Sequence, residues 1–163
     1  MISKLNLGES TATESLDSLL HIQRLAYQVE ADLIGFDDIP ALKETRSSLQ
    51  NCRETFYGYF SQGQLCGAIS YQRDARVVDI CRLVVDPRHF RQGIGKALVG
   101  KVLEVENDAQ TFTVSTGSKN TPAVRLYRQY GFVETGRTEV SPGVFLSHFE
   151  RINRQLSGDP RTN

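Results

Sequence analysis

Cysteine is scarce: Cys52, Cys66 and Cys81 are the only three in 163 residues. An odd number without Cys-x-x-Cys spacing makes neither a disulfide framework nor a zinc site. His21, His89 and His148 are scattered and match no metal-ligand spacing, so no metal is expected. No apolar run approaches the ~20 residues needed to cross a bilayer. The opening stretch MISKLNLGES has no basic segment followed by an apolar core. Secretion is therefore not indicated, and a cytoplasmic protein is expected. Neither sign of charge is in excess, with 19 Lys plus Arg against 19 Asp plus Glu. That balance supplies no global field for nucleic acid or an anionic membrane, so neither is expected as a partner. Any binding must come from a local site.

The chain does have the makings of a core. Hydrophobic residues are 39% and charged residues 23%, which excludes a disordered or fibrous chain. The length suits one domain, expected over residues 1–156, with 157–163 as a mobile tail. Residues 2–7 suggest a short strand. From Thr13 to Leu33, the apolar residues Leu19, Ile22, Ala26, Val29 and Leu33 fall at helical spacing, and Gly35 is a stop signal. A second, shorter helix is expected from Ala41 to Leu49. The period then changes, and ETFYGYFSQGQLCGAISYQ reads as a hairpin turning at SQGQ. ARVVDICRLVV reads as a central strand too apolar to have a solvent face. A helix follows from Gly93 to about Val105, then the strand TFTVST. The next helix opens at Pro122 and carries Ala123, Leu126, Tyr127 and Tyr130. Gly131 stops it, and FVETGRTEV and GVFLSHFE close as a strand pair. The order is β-α-α-β-β-β-α-β-α-β-β, an α/β (α+β) domain with helices flanking a mixed sheet.

The most specific stretch is VVDPRHFRQGIGKALV, residues 84–99, where a strand passes into a helix through Gly93-Ile94-Gly95. A helix start presents free backbone N–H groups and the positive end of the helix dipole, which together suit a phosphate. Glycine lets the backbone approach closely, and Arg91 and Lys96 flank the turn. A Walker loop would need Gly at 90 and Ser or Thr at 97, where the chain has Phe90 and Ala97. A dinucleotide fingerprint would need Gly or Ala at 98, where it has Leu98. Both fail on spacing. The turn alone leaves open a helix start without a ligand.

LVVDP and RQGIGKAL, followed by NTPAVRLYRQYGF, resemble the GNAT superfamily of N-acetyltransferases. The first block is similar to the family's acetyl-CoA motif. The second matches its Asn-x-x-Ala-x-x-Leu-Tyr-x-x-x-Gly-Phe pattern at Asn120, Ala123, Leu126, Tyr127, Gly131 and Phe132. The element order fits too, as far as about Phe149. One position departs: the family's Arg or Gln falls at Phe90, and Arg91 stands one place late. The resemblance implies a largely antiparallel sheet and coenzyme A as cofactor, its pyrophosphate on the backbone of Arg91, Gln92, Gly93, Ile94, Gly95 and Lys96. The backbone of Leu83 and Val85 would pair with the pantetheine amides. It also implies transfer of an acetyl group from acetyl-CoA to a primary amine, on a small molecule or peptide, by direct attack in a ternary complex. A homodimer could complete the acceptor groove. The alternative is a non-catalytic acyl-CoA-binding module.

Such transfer needs a neutral amine, a donor to the developing oxyanion and a proton for the departing thiolate. Tyr127 matches the family tyrosine that protonates sulfur; otherwise it packs as a helix residue. The carbonyl donor would be the Val85 N–H. Asp79 is the candidate base, with a carboxylate expected to be partly desolvated in its apolar strand; otherwise it pairs with Arg76 or Arg82, and water is the base. Asn120 either contacts the cofactor or caps a helix. Cys81, beside Asp79, reads as a core residue. Glu30, Asp32, Asp37 and Asp38 either attract a cationic acceptor or are solvated charge.

Overall fold

The computed structural model describes residues 1–9 and 13–153; the expected tail lies outside them. The elements run β1 (Ile2–Leu5), α1 (Thr13–Ile34), α2 (Arg46–Asn51), β2 (Thr55–Ser61), β3 (Gln64–Asp74), β4 (Val77–Val85), α3 (Ile94–Val105), β5 (Thr111–Gly117), α4 (Thr121–Gln129), β6 (Val133–Ser141) and β7 (Val144–Ile152). Short 3-10 turns at Pro40–Lys43 and Pro87–His89 complete the chain. The expected order is therefore the observed one. The expected helix from Ala41 to Leu49 is broken instead. Its first part is the 3-10 turn, and α2 starts afresh where Thr45 and Ser48 form a capping box. Among the described residues, no helix is long and apolar enough to cross a membrane.

The seven strands form one sheet in the order β1-β2-β3-β4-β5-β7-β6, antiparallel except for β4 beside β5. The β2–β3 hairpin turns on Gln62 and Gly63, both at positive φ, which matches the twist of the flanking strands. Two cores lie on its two faces. On one, Val78 and Ile80 pack with Ile94, Leu98 and Val102 of α3, Phe112, Tyr127 of α4 and Phe149. On the other, Leu16, Leu19 and Leu20 of α1 pack with Leu49, Phe56, Ala68 and Val84.

A bulge in β4 decides the shape of the middle of the sheet. Tyr71 pairs with Ile80 and Ser70 with Arg82, so Cys81 has no partner. Alternation slips by one there. Val78 and Ile80 face the α3–α4 core, whereas Arg82 and Val84 face α1. The reading of this strand as lacking a solvent face is corrected accordingly: Val77, Asp79 and Cys81 are exposed, because α1 does not cover that end of the sheet. The parallel pairing of β4 with β5 covers only Val77–Ile80. Past the bulge the two strands part.

Candidate active site

Three cavities meet at that parting. The innermost, about 140 Å³, lies between Ile80, Cys81, Arg82 and Leu83 of β4 and Val114, Ser115 and Thr116 of β5. Tyr27 and Glu30 of α1, with Asn120, Ala123 and Tyr127 at α4, close it. A cleft of about 580 Å³ opens toward the glycine turn and is lined by Leu83, Val85, Phe90, Arg91, Gly93, Ile94, Gly95 and Lys96. A third, of about 550 Å³, opens on the α1–α2 side between Tyr27, Ile39, Pro40, Glu44, Glu54 and Arg82. Tyr27 lines all three.

The glycine turn is shaped by its backbone. Arg91 and Gly93 both take positive φ, 64° and 76°, which glycine adopts freely and arginine only under local constraint. Gly93 is the N-cap of α3, and its carbonyl accepts the first helical bond from Ala97 N–H at 3.0 Å. The N–H groups of Ile94, Gly95 and Lys96 consequently have no partner within the helix. The buried Asp86 carboxylate holds the strand end by accepting from Arg88 N–H at 2.9 Å and from its guanidinium at 2.8 Å. Bonding from Arg88 holds that carboxyl below the usual range.

The β4 backbone beyond the bulge faces the same space. Asp86 N–H bonds the Cys66 carbonyl, and Val85 stands opposite Gly67. In an antiparallel ladder, bonded and non-bonded pairs alternate, so the N–H and C=O of Leu83 and Val85 point away from β3. A free helix start, a bare strand edge and basic residues beside the turn fit a pantetheine chain ending in a diphosphate.

Tyr127 reaches the inner cavity from α4. Its ring is buried, edge-on to Phe132 at 5.5 Å and tilted against Phe149 at 6.5 Å. Burial, and then the nearby Glu30 carboxylate, push its phenol pKa up, so it holds its proton through the neutral range. Asn120 caps α4 through Oδ1, accepting from Ala123 N–H at 3.4 Å. It also lines both the inner cavity and the cofactor-sized cleft, so the two expected roles are compatible. Glu30 is pushed up by burial, against bonding from Asn120 and the Gly117 backbone. Gly117 permits this approach of α1 to β5, since a Cβ there would lie 2.5 Å from Ile34 Cγ2.

Two expectations about charge are corrected. Asp79 is exposed rather than desolvated, and its partner is the Thr113 hydroxyl at 2.7 Å, not Arg76 or Arg82. It lines a separate surface cleft with Arg53, Gln72 and Arg73, outside the cavity of Tyr127. Asp79→Asn should therefore leave kcat near the wild-type value, which steady-state thiol release would check. Of the four acids expected near the acceptor, only Glu30 lines the central cavities. Asp32 accepts from Gln28, and Asp38 pairs with Lys43 at the surface.

The acids that line the acceptor-side groove are Glu44 and Glu54, which sequence reasoning missed. Arg82 joins them. Its Nε and Nη2 donate to Glu54 at 2.8 and 2.9 Å, Nη2 also to Glu44 at 2.9 Å, and Nη1 to Glu44 and to Gln23 Oε1. Gln23 Nε2 bonds Glu44 at 2.7 Å, and Ser70 donates to Glu54 at 2.6 Å. Burial opposes ionisation of Glu54, but the bonds from Arg82 and Ser70 overcome it and hold the carboxyl below its usual range. An arginine in an apolar strand was the available signal, because a largely buried guanidinium requires carboxylates.

The model of the acetyltransferase (GNAT) domain family matches residues 28–151. The chain is 42% identical over 149 residues to UPF0157 protein YqkA of Bacillus subtilis, covering 91% of this chain and 43% of that protein. It is 35% identical over 102 residues to the N-acetylaspartate synthetase of Danio rerio, covering 58% of this chain and 36% of that one. The chain thus spans less than half the length of these relatives. Its fold matches the PaiA N-acetyltransferase of Thermoplasma acidophilum, solved with coenzyme A, at TM-score 0.71 and 18% identity over 91% of this chain and 96% of that one. The ribosomal-protein-S18-alanine N-acetyltransferase of Escherichia coli matches at TM-score 0.73 and 19% identity, over 93% and 92%. The chain therefore belongs to the GNAT acetyltransferase family.

Proposed function

We propose that this domain moves an acetyl group from acetyl-CoA to a primary amine, by direct attack while both are bound. The observation that carries the reading is that three spaces share walls. The inner cavity that Tyr127 lines shares Tyr27, Glu30, Leu83 and Asn120 with the cleft at the glycine turn, and Tyr27, Cys81 and Arg82 with the groove between Glu44 and Glu54. Bound acetyl-CoA supplies the activated acyl group. Backbone N–H groups of Ile94, Gly95 and Lys96 would hold its diphosphate, with Arg91 and Lys96 adding charge. The exposed edge of Leu83 and Val85 would align its amide arm, and Val85 N–H would face the acyl oxygen. Tyr127 Oη holds the proton that the departing sulfur requires.

On the other side, Glu44 and Glu54 line the groove with the cations Arg82 and Lys43, and Lys43 is itself paired with Asp38, so three carboxylates stand against two cations. All the guanidinium nitrogens of Arg82 donate to residues of the chain itself. The groove therefore favours a cationic amine over an acceptor that must anchor a carboxylate. Cys81 does not compete as an acyl carrier. Partial burial, with Glu54 and Asp79 near it, pushes its thiol up to about 12, so it stays protonated and weakly nucleophilic.

Thermal unfolding with acetyl-CoA, ATP or NAD tests the cofactor cleft. Acetyl-CoA at a hundred times its dissociation constant should stabilise the fold by about 2.7 kcal/mol, and the other two should not. Free-thiol release with spermidine, an alanyl tripeptide or Nα-acetyl-lysine then tests transfer. Binding without thiol release from any of the three would leave an acyl-CoA-binding module and sink the transfer reading.

A further inference from the structure

Transfer to an amine demands a destination for a proton, and none of the groups assigned above provides it. Most primary amines arrive as ammonium ions, which have no lone pair with which to attack. Asp79 lies outside the inner cavity. Tyr127 starts protonated, and its proton is committed to the sulfur.

Ser115 lines the same inner cavity as Tyr127, on the acceptor face of β5. Directly across the ladder stands His148 of β7, with its Nδ1 2.6 Å from the Ser115 hydroxyl. On the far side of the ring, Nε2 lies 2.6 Å from the Thr138 hydroxyl of β6. A neutral imidazole has one N–H and one bare nitrogen. If Ser115 O–H donates to Nδ1 and Nε2–H donates to Thr138, both contacts are satisfied. The ring is then held with its bare nitrogen toward the cavity, joined to it by one hydroxyl.

We propose that Ser115 and His148 are the route by which the acceptor amine loses its proton, with His148 acting through Ser115. The proposal rests on the amine-transfer reading above. One ammonium N–H bond breaks as an O–H bond forms on Ser115, and the original serine proton passes to Nδ1 of His148. The amine keeps its electron pair, and the positive charge moves to the imidazolium. His148 is only half-buried and returns the proton to water.

The titratable and charged groups around this ring come from β7, β4 and β6. Along β7, Glu150 shares its face, since Ser147 and Phe149 point into the opposite core. From β4 come Cys81, a protonated thiol, and Asp79, which the Thr113 hydroxyl of β5 ties down. Arg82 also faces the acceptor side, but Glu44 and Glu54 answer its charge. From β6 the ring meets Thr138. Glu134 and Arg137 pair on the opposite face, where Arg128 of α4 reaches Glu134.

Ser115→Ala and His148→Gln test the route, because glutamine retains hydrogen bonding but not basicity. The acceptors are the fastest of the three cationic amines named above and hydroxylamine, which is uncharged at neutral pH. Both variants should lose about 100-fold in kcat/KM with the cationic amine, the scale of a lost proton acceptor, and little with hydroxylamine. With the cationic amine, the pH profile of kcat/KM should differ between wild type and His148→Gln, and in the variant it should follow deprotonation of the free amine alone. Equal losses with both nucleophiles, or no loss with either, would overturn the relay while leaving amine transfer intact. Wild-type protein that is stabilised by acetyl-CoA yet releases no thiol with any amine would overturn the transfer reading itself, and the relay with it.

Discussion

Tyr127→Phe should lower kcat for acetyl transfer by about 100-fold while leaving the thermal shift with acetyl-CoA essentially unchanged. The separation is expected because the ring and the hydroxyl do different work. The ring packs against Phe132 and Phe149, and phenylalanine keeps those contacts. Only the proton on Oη is lost. Burial and the Glu30 carboxylate raise the phenol pKa, so the wild-type hydroxyl stays protonated well past neutrality. The sign matters for the pH profile: deprotonation of Tyr127 should not set an alkaline limb in the ordinary working range. Single-turnover thiol release with a saturating amine would measure the loss directly. A variant with unchanged kcat would reduce Tyr127 to a core residue, and the departing sulfur would then take its proton from water.

Arg82→Ala should be strongly destabilising. Its guanidinium and the carboxylates of Glu44 and Glu54 are each about nine-tenths buried, with side-chain exposures of 12%, 12% and 11%. Removing the arginine leaves two such carboxylates facing each other without a cation. Breaking a buried pair in this way costs about 3 kcal/mol, a fall in Tm of roughly 6–12 °C for a domain of this size. The cost should depend on pH in a definite direction. The folded pKa of Glu54 lies below its unfolded value. Its contribution is therefore present above the unfolded pKa and is lost as pH falls through the folded one. The gap in Tm between wild type and variant should narrow in acid, because protonation also relieves the orphaned carboxylates. Calorimetry across that range checks the slope. The acceptor KM should rise as well, since Arg82 joins α1, the residue after the 3-10 turn, the residue before β2 and the β4 bulge along one groove wall. Acetyl-CoA binding, on the other side of the inner cavity, should change little.

Much of the cofactor side was legible from the chain alone. The period of α1, α3 and α4, the stop at Gly35, the helix start at Gly93 and the cap at Asn120 are short-range matters. Each depends on residues a few positions apart, which interact before the fold is complete. The acceptor side was not legible in the same way. Arg82 lies 38 residues from Glu44 and 28 from Glu54, and Ser115 lies 33 from His148. None of those intervals is a structural period, so no spacing rule brings the pairs together. Asp79 was misjudged for the same reason. An apolar strand reads as buried on both faces, yet whether a helix covers a given face is decided by packing.

The sequence by itself determined the family, the element order and the glycine turn, because hydrophobic period, capping and backbone freedom are encoded locally. Tertiary structure alone decided that β4 bulges at Cys81, parts from β5 after Ile80 and turns Arg82 toward α1. Those features follow from cross-strand register, a property of two strands that neither strand's residues specify alone.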